Sequence, residues 1–300
     1  MNNGPRRCAV LGKPIAHSLS PLLHEAAYRA LGLDGWSYRR IEMDEDGLAA
    51  FLGSLDGGWA GLSLTMPLKR TIQPHGAPAN LWARELGVAN TAVFADGTTK
   101  LYNTDVYGIA RAFSHAAAAR GIQPAANRSA VILGNGNTAT SALAAYVMMG
   151  GVTHVTIAAR HPQRNPGLAE VGARHGVDVT AVAFDDAHAT ALLADADLVV
   201  NTIPANGADA VARRLAEAGG AVRGTLLDVV YDPRPTELMK VWERLGGVAL
   251  GGEEMLLYQA VAQVLLMTGL AADDDFDAVD ARAPHDALER AMREALEEAL

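Results

Sequence analysis

The stretch Gly134-Asn135-Gly136-Asn137-Thr138-Ala139 constrains this chain more than any other, because it directly follows the apolar run 130–133. A Gly-x-Gly-x-x-Ala pattern that leaves a strand and opens a helix suits a phosphate group. Gly134 permits a tight turn, Gly136 lets the backbone approach a pyrophosphate, and Ala139 lets helix and strand pack closely. The helix start then offers free N–H groups and the positive end of its dipole. Such a turn needs a parallel sheet beneath it. From Arg128 onward, apolar runs at 130–133, 152–158, 177–184, 198–203 and 225–230 alternate with helical segments rich in Ala and Leu. That alternation predicts a Rossmann-like, doubly wound parallel sheet covered on both faces.

The end of the second strand in this region bears on which nucleotide would be bound. An NAD site places an acidic residue there to hold the ribose diol. This chain places Ala159 and Arg160 there, with Arg164 four residues later. Two guanidinium groups can clamp a 2′-phosphate and stack on adenine, and no carboxylate competes. NADP is therefore the expected cofactor. The alternative is that both arginines are solvated loop residues.

The first hundred residues read differently. Strand-like segments fall at 7–11, 36–43, 59–65, 88–94 and 98–102, the last two flanking Asp96-Gly97, a hairpin signal. Helical segments fall at 21–31, with Ser20 as N-cap and Pro21 in first position, then at 46–55 and at 104–120. Gly121 and Pro124 are the expected stop of the last. The expectation is a two-domain α/β protein. Residues 1–107 form a substrate-binding catalytic domain to which 253–300 return, and 108–252 form the NADP-binding domain.

Ser18, Ser20, Thr65, Lys69, Asn90 and Asp105 supply hydroxyls, an amine, an amide and a carboxylate, without metal-ligand spacing. A proton-transferring half joined to a cofactor half is the layout of a nicotinamide dehydrogenase. Ser18 and Ser20 lie two apart in a segment read as extended, so both hydroxyls face one way and suit a carboxylate. Lys69 is the candidate proton carrier. Burial would favour its neutral amine and Asp105 its charged form, so the two should titrate as a unit.

Composition removes other classes. A net charge of −9 lacks the basic footprint of nucleic-acid binding. The apolar runs are far short of a membrane span. The single cysteine, Cys8, excludes an internal disulfide, reads as a small core residue, and suits a reducing cytoplasm. The acidic tail, Asp273 to Asp275 and Glu294 to Glu298, reads as a solvated loop and an exposed helix face.

Longer motifs carry a resemblance. GKPIAHSLSP at 12–21, GLSLTMPLK at 61–69, GVANT at 87–91, NTD at 103–105, DVVYDPRPT at 228–236 and GGEEMLLYQ at 251–259 occur in the order found in the shikimate dehydrogenase family. The resemblance covers about residues 8–270. It implies reversible reduction of 3-dehydroshikimate to shikimate, with Lys69 as acid/base and Asp105 beside it. It also implies that Ser18, Ser20, Thr65, Asn90, Asp105, Tyr231 and Gln259 contact shikimate. Gly134 to Ala139, Arg160, Arg164, Thr202, Ile203, Val229, Gly252 and Met255 would line the NADP site. Several positions depart from the pattern. Ser63 stands where the family often has a substrate-binding asparagine, and Val106 where it has glycine. Ala159 replaces an asparagine, and Asn135 and Asn137 replace small residues.

Three rivals stay open at this point. A quinate/shikimate dehydrogenase that also uses NAD would exploit room at Ser63. A non-catalytic sensor of NADP or shikimate would have no need to keep Lys69 with Asp105. A folate-type dehydrogenase would have no use for the serine pair. The expected partners are small molecules, with no nucleic acid and no membrane, and the chain is expected as a monomer or homodimer.

Overall fold

The computed structural model describes residues 5–123, 125–184, 187–279 and 286–300. The chain divides into two units, Met1–Gly108 with Leu256–Leu300, and Ile109–Met255. Pro124, expected as a helix stop, lies outside the described residues.

The first unit is built on six strands: β1 (Arg6–Gly12), β2 (Trp36–Glu42), β3 (Trp59–Leu64), β4 (Ala77–Pro78), β5 (Thr91–Ala95) and β6 (Thr98–Tyr102). Their order is β2-β1-β3-β5-β6-β4. Strands joined through helices pair in parallel, β1 with β2 and with β3. The tight connection between β5 and β6 makes an antiparallel hairpin. Both of its turn residues have positive φ, Asp96 at 51° and Gly97 at 72°, as a two-residue turn matching strand twist requires. Leu11, Leu62 and Leu64 from β1 and β3 join Leu48, Leu68, Ile72 and Leu101 in one core.

The structure moves several expected boundaries. The segment read as strand 88–94 begins at Thr91, because Ala89 N–H donates to the Lys69 carbonyl at 2.9 Å rather than to a neighbouring strand. A helix at Leu81–Leu86, capped by Asn80 Oδ1 accepting from Ala83 N–H at 3.1 Å, had no distinct apolar period. Ser20 does not cap its helix. It is the first residue of Ser20–Ala30, and Leu19 before it is already in right-handed helical conformation.

The tail is more than a solvated loop. Asp273 accepts from Lys100 Nζ at 2.8 Å and from Tyr102 Oη at 2.6 Å. Asp277 accepts from Asn80 Nδ2 and Leu81 N–H, each at 3.0 Å. The closing helix Asp286–Ala299 buries Leu288, Met292 and Leu296, one stripe at helical spacing, and packs on the Ser20–Ala30 helix. Glu294, Glu297 and Glu298 are exposed on its other face, as the sequence suggests.

His24 is fully buried in this unit. Its ring stacks on Tyr38 at 3.9 Å, and Nδ1 lies 2.9 Å from the Ser20 carbonyl, so Nδ1 carries the proton. Burial pushes its pKa down from 6.5 to about 4. The unfolded chain therefore takes up a proton below pH 6.5 that the folded chain refuses, and stability falls as pH drops toward 4. The loss through this one group is about 3 kcal/mol between pH 7 and pH 4. Urea unfolding at pH 7, 5.5 and 4 should show a shallower acid loss in His24→Phe than in wild type. Equal slopes would remove His24 from the account.

The second unit holds β7 (Arg128–Leu133), β8 (Val152–Ala159), β9 (Asp178–Ala183), β10 (Leu198–Asn201), β11 (Thr225–Asp228) and β12 (Val248–Leu250). The sheet is parallel throughout, in the order β12-β11-β10-β7-β8-β9. Chain order reverses between β7 and β10, the switch point where open α/β sheets bind ligands beyond the carboxyl ends of their strands. Leu133, Val199, Leu226, Leu238 and Trp242 anchor the core on one face. β10 and β11 stop at Asn201 and Asp228, earlier than their apolar runs suggest. Both are buried, and Asn201 Nδ2 donates to Asp228 Oδ1 at 2.9 Å, which turns the chain out of the sheet.

Candidate active site

In the first unit, the residues with acid/base chemistry converge. Lys69 lies on the short helix Leu68–Thr71 after β3, and Asp105 opens the helix Asp105–Ala119. Lys69 Nζ donates to Asp105 Oδ2 at 2.5 Å, with only 10% and 5% of the two side chains exposed. The other carboxylate oxygen, Oδ1, accepts from Asn90 Nδ2 at 2.8 Å. Asn90 is itself held: its Oδ1 accepts from Thr104 N–H at 2.8 Å and from Thr91 Oγ1 at 3.0 Å. Its Nδ2 also donates to Gln259 Oε1 at 3.3 Å. A buried ion pair whose two carboxylate oxygens each accept a hydrogen bond is the arrangement in which desolvation is offset.

A hydrogen-bonded chain runs from this pair to Tyr38. Gln263 Nε2 donates to the Asn90 carbonyl at 3.2 Å and to Thr91 Oγ1 at 3.0 Å. Gln263 Oε1 accepts from Ser63 Oγ at 2.7 Å, and Ser63 Oγ accepts from Tyr38 Oη at 2.6 Å. Burial pushes the Tyr38 phenol well above the ordinary tyrosine range. Ser18 Oγ donates to Ser20 Oγ at 3.2 Å. The two hydroxyls do meet, through a turn and a helix start rather than an extended strand. In this structure Ser63 directs its single proton to Gln263. Thr65 is half-buried between β3 and Lys69, its N–H donating to the Leu11 carbonyl at 2.9 Å. A side chain at Gly12 would overlap Thr65 Cγ2, so glycine there sets the approach of the two loops.

In the second unit, the glycine turn follows β7 as expected. Gly134 has φ +101°, and a Cβ there would lie 2.4 Å from Thr202 Oγ1. Gly136 caps the helix Asn137–Met149, and a Cβ there would meet nothing within 4 Å. Asn137 and Thr138 form the helix start, and Ala139 is wholly buried beneath it. The side chain of Asn135 is turned away from the helix, its Nδ2 donating to the carbonyls of His161 and Arg164. Ala159 ends β8 buried, and Arg160 and Arg164 follow it exposed. Among the described residues, neither guanidinium has an ion-pair partner. Thr202 Oγ1 donates to the Leu133 carbonyl at 2.7 Å, and Ile203 N–H donates to Asn201 Oδ1 at 3.1 Å. Val229 N–H donates to the Asn201 carbonyl at 3.0 Å. Gly252 lies so close to β11 that a Cβ would sit 2.2 Å from the Val229 carbonyl oxygen. Met255 is buried three residues later, and Tyr231 is half-buried in the loop after β11. Open space at Gly136, a helix start directly after it and two exposed guanidiniums fit a phosphorylated dinucleotide. Among the described residues, no group of acidic, histidine or cysteine side chains could hold a metal ion.

Comparison with known proteins points to one family. Residues 10–92 match the model of the shikimate dehydrogenase substrate binding domain, and 130–245 that of the saccharopine dehydrogenase NADP binding domain. A curated shikimate dehydrogenase (NADP(+)) of Streptomyces avermitilis is 35% identical over 277 residues, 88% of this chain and 90% of that protein. The chain belongs to the shikimate dehydrogenase family. The crystal structure of shikimate dehydrogenase from Mycobacterium tuberculosis is 37% identical, with TM-score 0.81, covering 99% of this chain and 100% of that one. The shikimate 5-dehydrogenase of Thermus thermophilus, solved with NADP(H) and shikimate, is 30% identical, with TM-score 0.74, covering 98% and 100%.

In each unit of this shikimate dehydrogenase family member, sequence reasoning missed residues that hold the candidate groups in place. Tyr38, Thr91, Thr104 and Gln263 join the Lys69–Asp105 pair, through Asn90, to Ser63 in one network. Asn201 and Asp228 set the ends of β10 and β11. Asp228 is held above the ordinary carboxylate range by burial, while Thr236 Oγ1 and Val230 N–H donate to it. The available signal was a polar residue ending an otherwise apolar strand.

Proposed function

We propose that this chain is an NADP-dependent shikimate dehydrogenase, reducing 3-dehydroshikimate reversibly to shikimate on the route to chorismate and the aromatic amino acids. The observation that carries the reading is the buried contact of 2.5 Å between Lys69 and Asp105, fixed by Asn90. When bound, the nicotinamide supplies the hydride in reduction and accepts it in oxidation. Everything else falls to the chain. Lys69 ammonium donates a proton to the carbonyl oxygen as the alcohol forms, and takes one from the hydroxyl in the reverse direction. Asp105 aims the amine through its hydrogen bond from Nζ. Ser18 and Ser20 bind the remote carboxylate, and that binding orients the ring toward Lys69. Asn90, Thr65, Gln259 and Tyr231 hold the ring hydroxyls. Ser63 orients Tyr38 and Gln263 rather than the ring. Arg160 and Arg164 take the 2′-phosphate, and the N–H groups after Gly136 take the pyrophosphate. We place the enzyme in the cytoplasm, where Cys8 stays reduced, working on small molecules as a monomer or homodimer; no described helix is long and apolar enough to cross a membrane.

The test is an absorbance assay of shikimate and of quinate, each with NADP+ and with NAD+. Shikimate with NADP+ should give the highest kcat/KM. Comparable kcat/KM on quinate with NAD+ would move the chain to the broader quinate/shikimate type. No turnover with any pair, with NADP+ still bound, would make it a sensor.

A further inference from the structure

We propose that Asn135 and Asn165 are positioning residues that set the preference for a 2′-phosphorylated dinucleotide, by fastening the turn that carries Arg160 and Arg164 onto the glycine loop. The inference rests on NADP being the cofactor. Asn135 is the second residue of that loop, and Asn165 directly follows the arginine turn. Asn135 Nδ2 donates to the His161 carbonyl at 2.8 Å and to the Arg164 carbonyl at 3.0 Å. The same turn is closed by Arg164 N–H donating to the His161 carbonyl at 3.0 Å. Asn165 returns the contact: its Nδ2 donates to the Asn135 carbonyl at 3.2 Å and to Thr140 Oγ1 at 3.1 Å. Thr140 belongs to the helix that the glycine loop opens. Asn165 sits at φ 62°, a left-handed conformation that asparagine tolerates better than most residues.

Three hydrogen bonds therefore join the two loops, and a fourth ties the arginine turn to the helix that follows the glycine loop. The backbone from which both guanidiniums spring is fixed relative to the helix start that would take the pyrophosphate. Arginine recognition of phosphate is directional, and its strength depends on the fork being placed before the ligand arrives. A turn ordered in the free protein does not have to be ordered on binding. NAD carries no 2′-phosphate and draws little from this arrangement. Loosening the two asparagines should therefore fall on NADP selectively, which a merely structural role would not do.

Calorimetric titration of the full chain with NADP+, NAD+, 2′,5′-ADP and ADP tests this, with melting temperatures measured alongside. The variants are Asn135→Ala, Asn135→Asp, which keeps size but loses the donor, and Asn165→Gly, which keeps the left-handed backbone but loses the amide. Each should weaken NADP+ and 2′,5′-ADP about tenfold or more, the scale of two lost hydrogen bonds. NAD+ and ADP should change by less than about threefold, and the KM for NADPH should rise far more than that for NADH. Equal losses for both nucleotides would assign the asparagines to the glycine loop alone and overturn the proposal. So would unchanged affinity in all three variants, or full NADP+ affinity in Asn135→Asp. A wild-type chain that prefers NAD+ and ignores 2′,5′-ADP would overturn the NADP reading and this inference with it, before any variant is made.

Discussion

Lys69→Ala is expected to lower kcat by about a thousandfold, the usual worth of a positioned general acid or base, while NADP+ binds as before. No described neighbour can replace the amine. Asp105 is the nearest titratable group, and both of its oxygens are engaged, one by Lys69 and one by Asn90. The substitution carries a structural cost that has to be separated from the chemical one. Removing one member of a buried ion pair leaves the other charge unpaired, which costs about 3–5 kcal/mol. The double variant Lys69→Ala, Asp105→Asn removes that charge and keeps an acceptor for Asn90 Nδ2. Its melting temperature should recover toward wild type while its turnover stays lost. Near-normal kcat in Lys69→Ala, with shikimate saturating, would defeat the assignment of proton transfer to this residue.

That experiment turns on a pair whose members are far easier to see together in space than in sequence. Lys69 alone reads as a surface lysine at a helix start, and Asp105 as an ordinary first-turn acid. Motif context joined them, and periodicity could not have. The second unit was the more legible half. Parallel strands buried on both faces are continuous apolar runs, and a glycine turn after the first of them has few uses. What stayed hidden there was the end of each strand, where Asn201 and Asp228 stop an apolar run through a contact across β10 and β11. In the first unit, Gln263 lies two hundred residues from Ser63, its partner. A buried amide in a helix interior carries no local mark of what it touches. The tail shows the same limit from the other side. Charge alone made Asp273 look solvated, but its partners Lys100 and Tyr102 are distant in the chain. Ser63 and Asn135 could be seen as departures from a family pattern, but where their protons go depends on atoms that pattern does not describe.

The glycine turn offers the other large effect. Gly134→Ala should weaken NADP+ and NAD+ together, by about a hundredfold or more, and lower the melting temperature. Two separate faults add. A φ of +101° is strained for any residue with a Cβ, by about 1–3 kcal/mol. The new methyl would also lie 2.4 Å from Thr202 Oγ1, which is fixed by its hydrogen bond to the Leu133 carbonyl at 2.7 Å. One or the other loop must shift, and the N–H groups after Gly136 are then aimed away from the pyrophosphate. The faults are separable. Thr202→Ala in the Gly134→Ala background removes the overlap but not the backbone strain, so affinity should recover in part and stop short of the Thr202→Ala single variant. Complete recovery would mean that the close approach of β7 and β10 is the whole reason for glycine here, and no recovery would mean that backbone conformation is. Wild-type affinity in Gly134→Ala itself would show that this turn does not carry the pyrophosphate, and would remove the nucleotide from this edge of the sheet altogether.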